Sequence, residues 1–157
     1  YGGAVDLLTC DVIHAVDFLR WVGGEVKSVA SDVRNLYAEY PNAFNALMTF
    51  ESGATGVLLS NFSVGRRFFT FELHAKGISA FCDPDEKGHV WADNETEGKH
   101  FETREVAGSD QLYVYYGFRA ENRHFIDCVK TGTQPTSSFS DAVKTMELVE
   151  RIYGSQI

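Results

Sequence analysis

Gly2-Gly3-Ala4-Val5-Asp6-Leu7-Leu8-Thr9-Cys10-Asp11-Val12-Ile13-His14-Ala15-Val16-Asp17-Phe18-Leu19-Arg20-Trp21 opens this chain as a glycine pair feeding one amphipathic helix. Val12, Val16 and Leu19 recur at i, i+4 and i+7, and Ile13 and Phe18 widen the stripe. Gly23-Gly24 ends the pattern, where a residue of positive φ costs little. The spacing predicts a helix over 9–22. Asp11, His14 and Asp17 are three residues apart, so each neighbours the next along one edge of that helix. A carboxylate beside an imidazole is the minimal apparatus for proton transfer near neutral pH.

Beyond the glycines the period falls to two. Val26, Ser28, Ala30 and Asp32 alternate with Lys27, Val29, Ser31 and Val33 in a strand pattern. Phe44, Ala46, Met48 and Phe50 share one face of the next strand, and Ser52-Gly53-Ala54 turns into a strand from Thr55 to Phe62, a hairpin. Phe69, Phe71, Leu73 and Ala75 alternate with Thr70, Glu72 and His74; Lys76-Gly77 turns into Ile78–Phe81, and Asp83-Pro84-Asp85 is a turn. Short strands are expected near His89–Ala92 and His100–Arg104. The stretch 107–117 has no clean period and holds Asp110, Tyr113, Tyr115 and Tyr116. Two helices close the chain. One spans about 118–130, with Phe118, Phe125, Ile126 and Val129 inward. The other spans 139–153 with Val143, Met146, Val149 and Tyr153 inward, opened by a Ser138-x-x-Asp141 capping box.

Helix, strand block, two helices: this order predicts an α+β fold over 1–157 as a single domain. It is an open, predominantly antiparallel (mixed) sheet with the closing helices on one face and the 9–22 helix leading into it. Strands with large apolar residues on more than one face need a second cover. Another copy of the same sheet supplies it, so a homodimer or homotetramer through the sheet face is expected.

The formal charge of −8 and a single adjacent basic pair, Arg66-Arg67, argue against nucleic acid as a partner. No apolar run approaches a membrane span and nothing resembles a signal peptide, so no membrane partner is expected. Cys10, Cys82 and Cys128 form no CxxC pair and suggest neither disulfide framework nor zinc knuckle, which points to a reducing cytoplasm. His14, His74, His89, His100 and His124 contain no i,i+4 pair and no His-x-His, so no metal site is expected.

Several landmarks, in order, resemble the C-terminal domain of the Gfo/Idh/MocA oxidoreductases, the glucose-fructose oxidoreductase and inositol dehydrogenase family. They are the glycine pair and His14-x-x-Asp17 helix, Gly24-Glu25-Val26-Lys27-Ser28-Val29 and the Phe50-Glu51-Ser52-Gly53-Ala54-Thr55-Gly56 hairpin. Ala75-Lys76-Gly77-Ile78-Ser79-Ala80, Glu121–Gly132 and the Arg151-Ile152-Tyr153-Gly154-Ser155 ending follow. The resemblance implies a fold like the glyceraldehyde-3-phosphate dehydrogenase C-terminal domain and a sheet used for oligomer contacts. It implies that the first helix faces a sugar, polyol or related hydroxy substrate. It also implies NAD or NADP as cofactor, bound by an N-terminal Rossmann domain that supplies a lysine. That domain's Gly-x-Gly-x-x-Gly is nowhere in this chain. The chain alone is therefore expected to be inactive, with no cofactor-binding residues of its own.

A frequent family pattern, Asp-x-x-x-His, places His14 on the histidine and Cys10 on the acid, with Asp11 one residue later, roughly 100° around the helix. Either Asp11 reaches substrate from a shifted angle or His14 works with the Rossmann lysine alone. His14 and Asp11 are the expected catalytic residues. Asp17 is expected to hold backbone or Arg20, and His124 to be a solvent-side histidine. Arg66-Arg67 form a solvated hairpin tip, or Arg67 meets an acidic or phosphorylated group of substrate. The tyrosines are edge packing, or Tyr116 stacks on a sugar where the family contacts substrate. A sugar dehydrogenase is thus the leading expectation. The alternatives are a non-catalytic oligomerisation or sensing module, to which Cys10 at the acid position points, and an NAD-dependent glycosidase branch.

Overall fold

The structure, a computed structural model, describes residues 5–157. It is an α+β fold whose strand ladders are all antiparallel. A π-helical turn, Leu8–Val12, runs into α1 (Ile13–Gly23); β1 (Val26–Arg34), β2 (Ala43–Phe50) and β3 (Thr55–Asn61) follow. Next come β4 (Phe71–Ala75), β5 (Ile78–Asp83), β6 (Lys87–Ala92) and β7 (Lys99–Glu102), then α2 (Thr103–Ala107), α3 (Leu112–Tyr115), α4 (Phe118–Thr131) and α5 (Phe139–Gly154). The strands form two sheets, β1-β2-β3 and β4-β5-β6-β7, rather than the single open sheet expected. They belong to two compact units. One reaches to Gly65 and resumes at Ser137–Ile157; the other is Arg66–Thr136. Period-two alternation identifies strands but not their partners. The polar stretch Ser63-Val64-Gly65-Arg66-Arg67 separates β3 from β4.

In the first unit Phe44, Ala46, Met48 and Phe50 face inward as the alternation predicts. Register sets their neighbours: Phe44 opposes Val33 and Ser60, Ala46 opposes Ser31 and Leu58, and Met48 opposes Val29 and Gly56. Val16 of α1 and the stripe of α5 (Leu148, Val149, Ile152) close over that face with Leu7, Leu8 and Val12. Each such aliphatic or aromatic side chain, fully buried, contributes about 1.5–3 kcal/mol. The Phe50 ring lies against Gly23 and Gly56. A Cβ at Gly23 would stand 2.4 Å from the ring, so only glycine lets the end of α1 come down on the hairpin. Gly24 then leaves the helix at φ 89°. On the outer edge of β1, the amide of Ser31 donates to Ser155 O and its carbonyl accepts from the Ile157 amide, so the C-terminal tail covers an otherwise open strand.

The buried face of α5 is Thr145, Leu148, Val149 and Ile152, not the expected Val143, Met146, Val149 and Tyr153. Val149 is shared, Tyr153 is half-buried, and Val143 and Met146 are exposed. The polar Thr145 hides the true stripe from a hydrophobic pattern. Its hydroxyl donates to Asp17 Oδ1 at 2.5 Å and accepts from Arg20 Nε at 3.0 Å. Ser138 caps α5 through the Asp141 amide, but the Asp141 carboxylate does not complete the box; it pairs with Arg20 Nη2 at 2.5 Å.

In the second unit the four strands form a meander, and among the described residues the one buried apolar side chain is Cys128. Phe118, Phe125, Ile126 and Val129 of α4, expected inward, are 48–67% exposed. The α4 stripe is present but left largely uncovered. The strand expected to reach Arg104 stops at Glu102, where α2 begins, and α3 occupies part of the aperiodic stretch.

Tyr153 ties α5 to the segment before the π turn, its hydroxyl donating to Asp6 Oδ1 at 2.5 Å. Burial works to raise the Asp6 pKa, but hydrogen bonds from Thr9, Tyr153 and the Leu8 amide together hold it below the carboxylate range. Burial first, then the Asp6 bond, pushes the Tyr153 phenol well above its ordinary value. Asp6 therefore stabilises the fold fully above its unfolded pKa, and that contribution is lost as pH falls through the lower folded value. Tyr153 contributes fully below its unfolded pKa of about 10, and its share is lost as pH rises beyond it. Tyr153→Phe is expected to cost about 1 kcal/mol at neutral pH and to flatten the alkaline loss of stability. Urea denaturation at neutral and alkaline pH tests this; an unchanged alkaline limb means the bond contributes nothing.

Candidate functional site

The first helix begins under Asp6, whose Oδ1 accepts the Leu8 amide at 3.0 Å and whose Oδ2 accepts the Thr9 hydroxyl. This carboxylate fixes the chain entering the π turn. Turns of this kind concentrate at functional sites because they re-aim side chains by lowering the rotation per residue. Cys10 and Asp11 lie inside the turn and His14 one turn on, in the first turn of α1. Cys10 and His14 are exposed; Asp11 is half-buried.

Along this helix the polar side chains divide into two groups. Asp6 holds Leu8, Thr9 and Tyr153. Asp17 accepts from Thr145 and stands 3.9 Å from Arg20, the structural role expected of it. Asp11 and His14 make no hydrogen bond or ion pair among the described residues, with each other or with anything else, so the expected carboxylate–imidazole contact is not formed. His124 supplies the contrast. Its Nε2 accepts the Thr136 amide at 3.1 Å and faces the Thr136 hydroxyl at 3.2 Å, with the Cys128 thiol at 3.7 Å. It is exposed, as expected of a solvent-side histidine, and its ring also ties α4 to the segment beyond it.

In the second unit the structure brings Arg67 and Tyr116 together at one carboxylate, that of Asp85. Arg67 Nη1 lies 3.6 Å from Asp85 Oδ2. Asp85, as hydrogen-bond acceptor for the Tyr116 hydroxyl, is the main cause of a raised Tyr116 pKa; burial adds to it and the Arg67 charge opposes it. Around this triad run flat surfaces. Tyr116 stacks on Phe118 at 6.2 Å with the planes 7° apart, Tyr115 lies 5.0 Å from Tyr116, and the Arg104 guanidinium sits 4.8 Å over Tyr115. Arg67 lies 5.4 Å over Phe69. Phe118, Tyr113, Arg119, Asn122, Arg123 and Ile126 line a shallow groove in the same unit. Sequence reasoning missed Asp85, which reads as one acid of a turn, and Phe118, which reads as core. Only pairing of β5 with β6 places their turn beside the tyrosines.

The described residues contain no Rossmann-type strand–turn–helix site for a dinucleotide. Every strand ladder is antiparallel, and no strand passes through a glycine-rich turn into a helix whose N-terminus could receive a pyrophosphate. Nor does any described helix have the length and apolarity to cross a membrane.

Comparison with known proteins bears on the same region. The GFO/IDH/MocA C-terminal domain family matches residues 7–79, from the π turn to the start of β5. We find no match among curated proteins. Among solved structures, an oxidoreductase from Agrobacterium radiobacter in complex with NAD+, L-tartaric acid and magnesium superposes with a TM-score of 0.79 at 17% identity, covering 94% of this chain and 46% of its own. A levoglucosan dehydrogenase in complex with NADH and levoglucosan gives 0.78 at 16%, covering 93% and 46%. A UDP-N-acetylglucosamine 3-dehydrogenase from Acidithiobacillus ferrooxidans gives 0.81 at 12%, covering 98% and 48%. The chain thus spans about half the length of these structures, and the likeness is one of fold. Matched in sequence over its first helix and first sheet and in fold over nearly all its length, the chain is similar to the GFO/IDH/MocA C-terminal domain family.

Proposed function

We propose that this chain is the substrate-binding and oligomerisation domain of an NAD(P)-dependent oxidoreductase acting on a sugar, polyol or related hydroxy compound, and that His14 exchanges the proton of the reacting hydroxyl. One observation carries it: on a helix whose other acids are bonded into the fold, His14 and Asp11 are left unbonded and accessible. Oxidation of an alcohol removes a proton from oxygen, and an imidazole is suited to accept it near neutrality. The cofactor, NAD or NADP, belongs in this proposal to residues outside the chain. The complexes of related fold, with NAD+ and L-tartaric acid and with NADH and levoglucosan, support the substrate class.

Asp11, which does not reach His14, is proposed to orient substrate rather than to exchange protons. That same lack of contact, with Cys10 at the family's acid position, is what favours the second reading, a module that kept the fold without the chemistry. Loss of turnover on removing His14 separates the two.

Tyr116 and Arg67 are proposed to bind substrate hydroxyls from the Asp85 cluster, with the ring planes beside them receiving the apolar face of a sugar. Tyr116→Phe is expected to raise KM about two- to tenfold, one neutral hydrogen bond, with little change in kcat. Steady-state kinetics of the full-length enzyme decide it; unchanged KM removes Tyr116 from the site.

Self-association is proposed through the outer face of the first sheet. There Leu47 and Val57 are cross-strand partners with Leu59 beside them, all more than half exposed. Light scattering of full-length protein should show a dimer or tetramer that Leu59→Glu weakens; a wild-type monomer at high concentration contradicts it. A cytoplasmic location, which the three free cysteines suit, is tested by cell fractionation.

A further inference from the structure

Strand pairing brings together two histidines that no local spacing relates. His89 on β6 and His100 on β7 are directly opposed in the antiparallel ladder and therefore share a face of the sheet. Their Nε2 atoms meet, with the ring planes 82° apart and the centroids 3.4 Å apart. Trp91, two residues along β6 on the same face, stacks on His89 at 5.2 Å and 23°. Lys87 and Glu102, opposed to each other, flank the pair on the other side. His100 is exposed and His89 half-buried, so both rings keep a route to solvent.

Two imidazole rings opposed in this way can share a proton between their nitrogens or, with the rings turned apart, present both lone pairs to one cation. Neutral imidazole is the preferred ligand of zinc, nickel and copper, at about 2.0–2.1 Å from the metal for zinc. No third His, Cys, Asp or Glu completes the set among the described residues, so water would fill the remaining positions.

We propose that His89 and His100 form a two-imidazole site for one divalent cation of the nickel, copper and zinc class. The cation would clip β7, a four-residue strand at the sheet edge with every residue exposed, to β6. This site is independent of the reading given to His14.

The test is titration of full-length protein with NiCl2, CuCl2 or ZnCl2, followed by calorimetry, melting temperature and tryptophan fluorescence. Expected are one equivalent bound, a rise in melting temperature with free metal, and quenching by copper or nickel, since Trp91 lies against the ligand. His89→Gln and His100→Gln should each weaken binding at least tenfold. His74→Gln, on β4 of the same sheet, should leave it unchanged. Circular dichroism confirms that each variant is folded. Binding that survives in both variants, or no binding by wild-type protein, overturns the proposal; in the second case the pair shares a proton instead.

Discussion

If His14 exchanges the substrate proton as proposed, replacing it by alanine in the full-length protein is expected to lower kcat by on the order of 10²–10⁴, the range for removing a positioned acid–base group. That corresponds to about 3–5 kcal/mol of transition-state stabilisation. The protein itself should be little affected. His14 is exposed, bonds to nothing among the described residues and lies outside the Val12–Val16 stripe. A surface substitution of this kind changes stability by no more than about 0.5 kcal/mol. Activity and stability are therefore separable at this position, which they would not be at Asp17 or Arg20. Asp11→Asn should cost less than His14→Ala, because the structure puts no bond between the two side chains and the π turn sets Asp11 aside. Steady-state kinetics with melting temperatures in parallel check both. Full activity in His14→Ala, or loss only through unfolding, returns the histidine to an ordinary surface role.

Phe44→Ala is expected to be the most damaging single substitution for stability. Phe44 is fully buried at the centre of the first sheet, with Val33 and Ser60 on either side and the Tyr153 ring edge-on at 6.1 Å. Truncation leaves a cavity between β2 and α5 that neither a paired strand nor a capped helix can collapse into. The cost should be about 3–5 kcal/mol, against a total of about 5–15 kcal/mol for a typical protein. Leu59→Ala, on the outer face of the same sheet, should cost far less in the unassociated chain. Denaturant unfolding of the two variants side by side measures the contrast. Equal losses would mean that the sheet does not bury the face assigned to it.

The hairpin of β2 and β3 was legible because alternation and turn chemistry agree there: four apolar residues two apart, then Ser52-Gly53-Ala54. The first helix was legible from the same consistency between its stripe and its terminal glycines. The π turn was not, since nothing in Leu8–Val12 departs from an ordinary helical pattern. α5 was placed correctly in sequence but rotated, because its inward face includes a threonine held by Asp17 and Arg20. Phe118, Phe125, Ile126 and Val129 read as core because a helical stripe specifies a face without specifying what covers it. Asp85 and the His89–His100 pair escaped because they depend on strand register, which alternation leaves open. Of the candidate residues, Arg67 and Tyr116 were singled out separately, and their meeting at Asp85 came only from the fold.

The most direct measurement is hydride transfer by the full-length protein, mixed with NAD or NADP and a panel of sugars and polyols, for wild type and His14→Ala under single-turnover conditions. The account predicts reduced nicotinamide with at least one polyhydroxy substrate, formed on the order of 10²–10⁴ times more slowly in the variant. Cofactor that binds but is reduced by none of the panel, or a variant as fast as wild type, contradicts it.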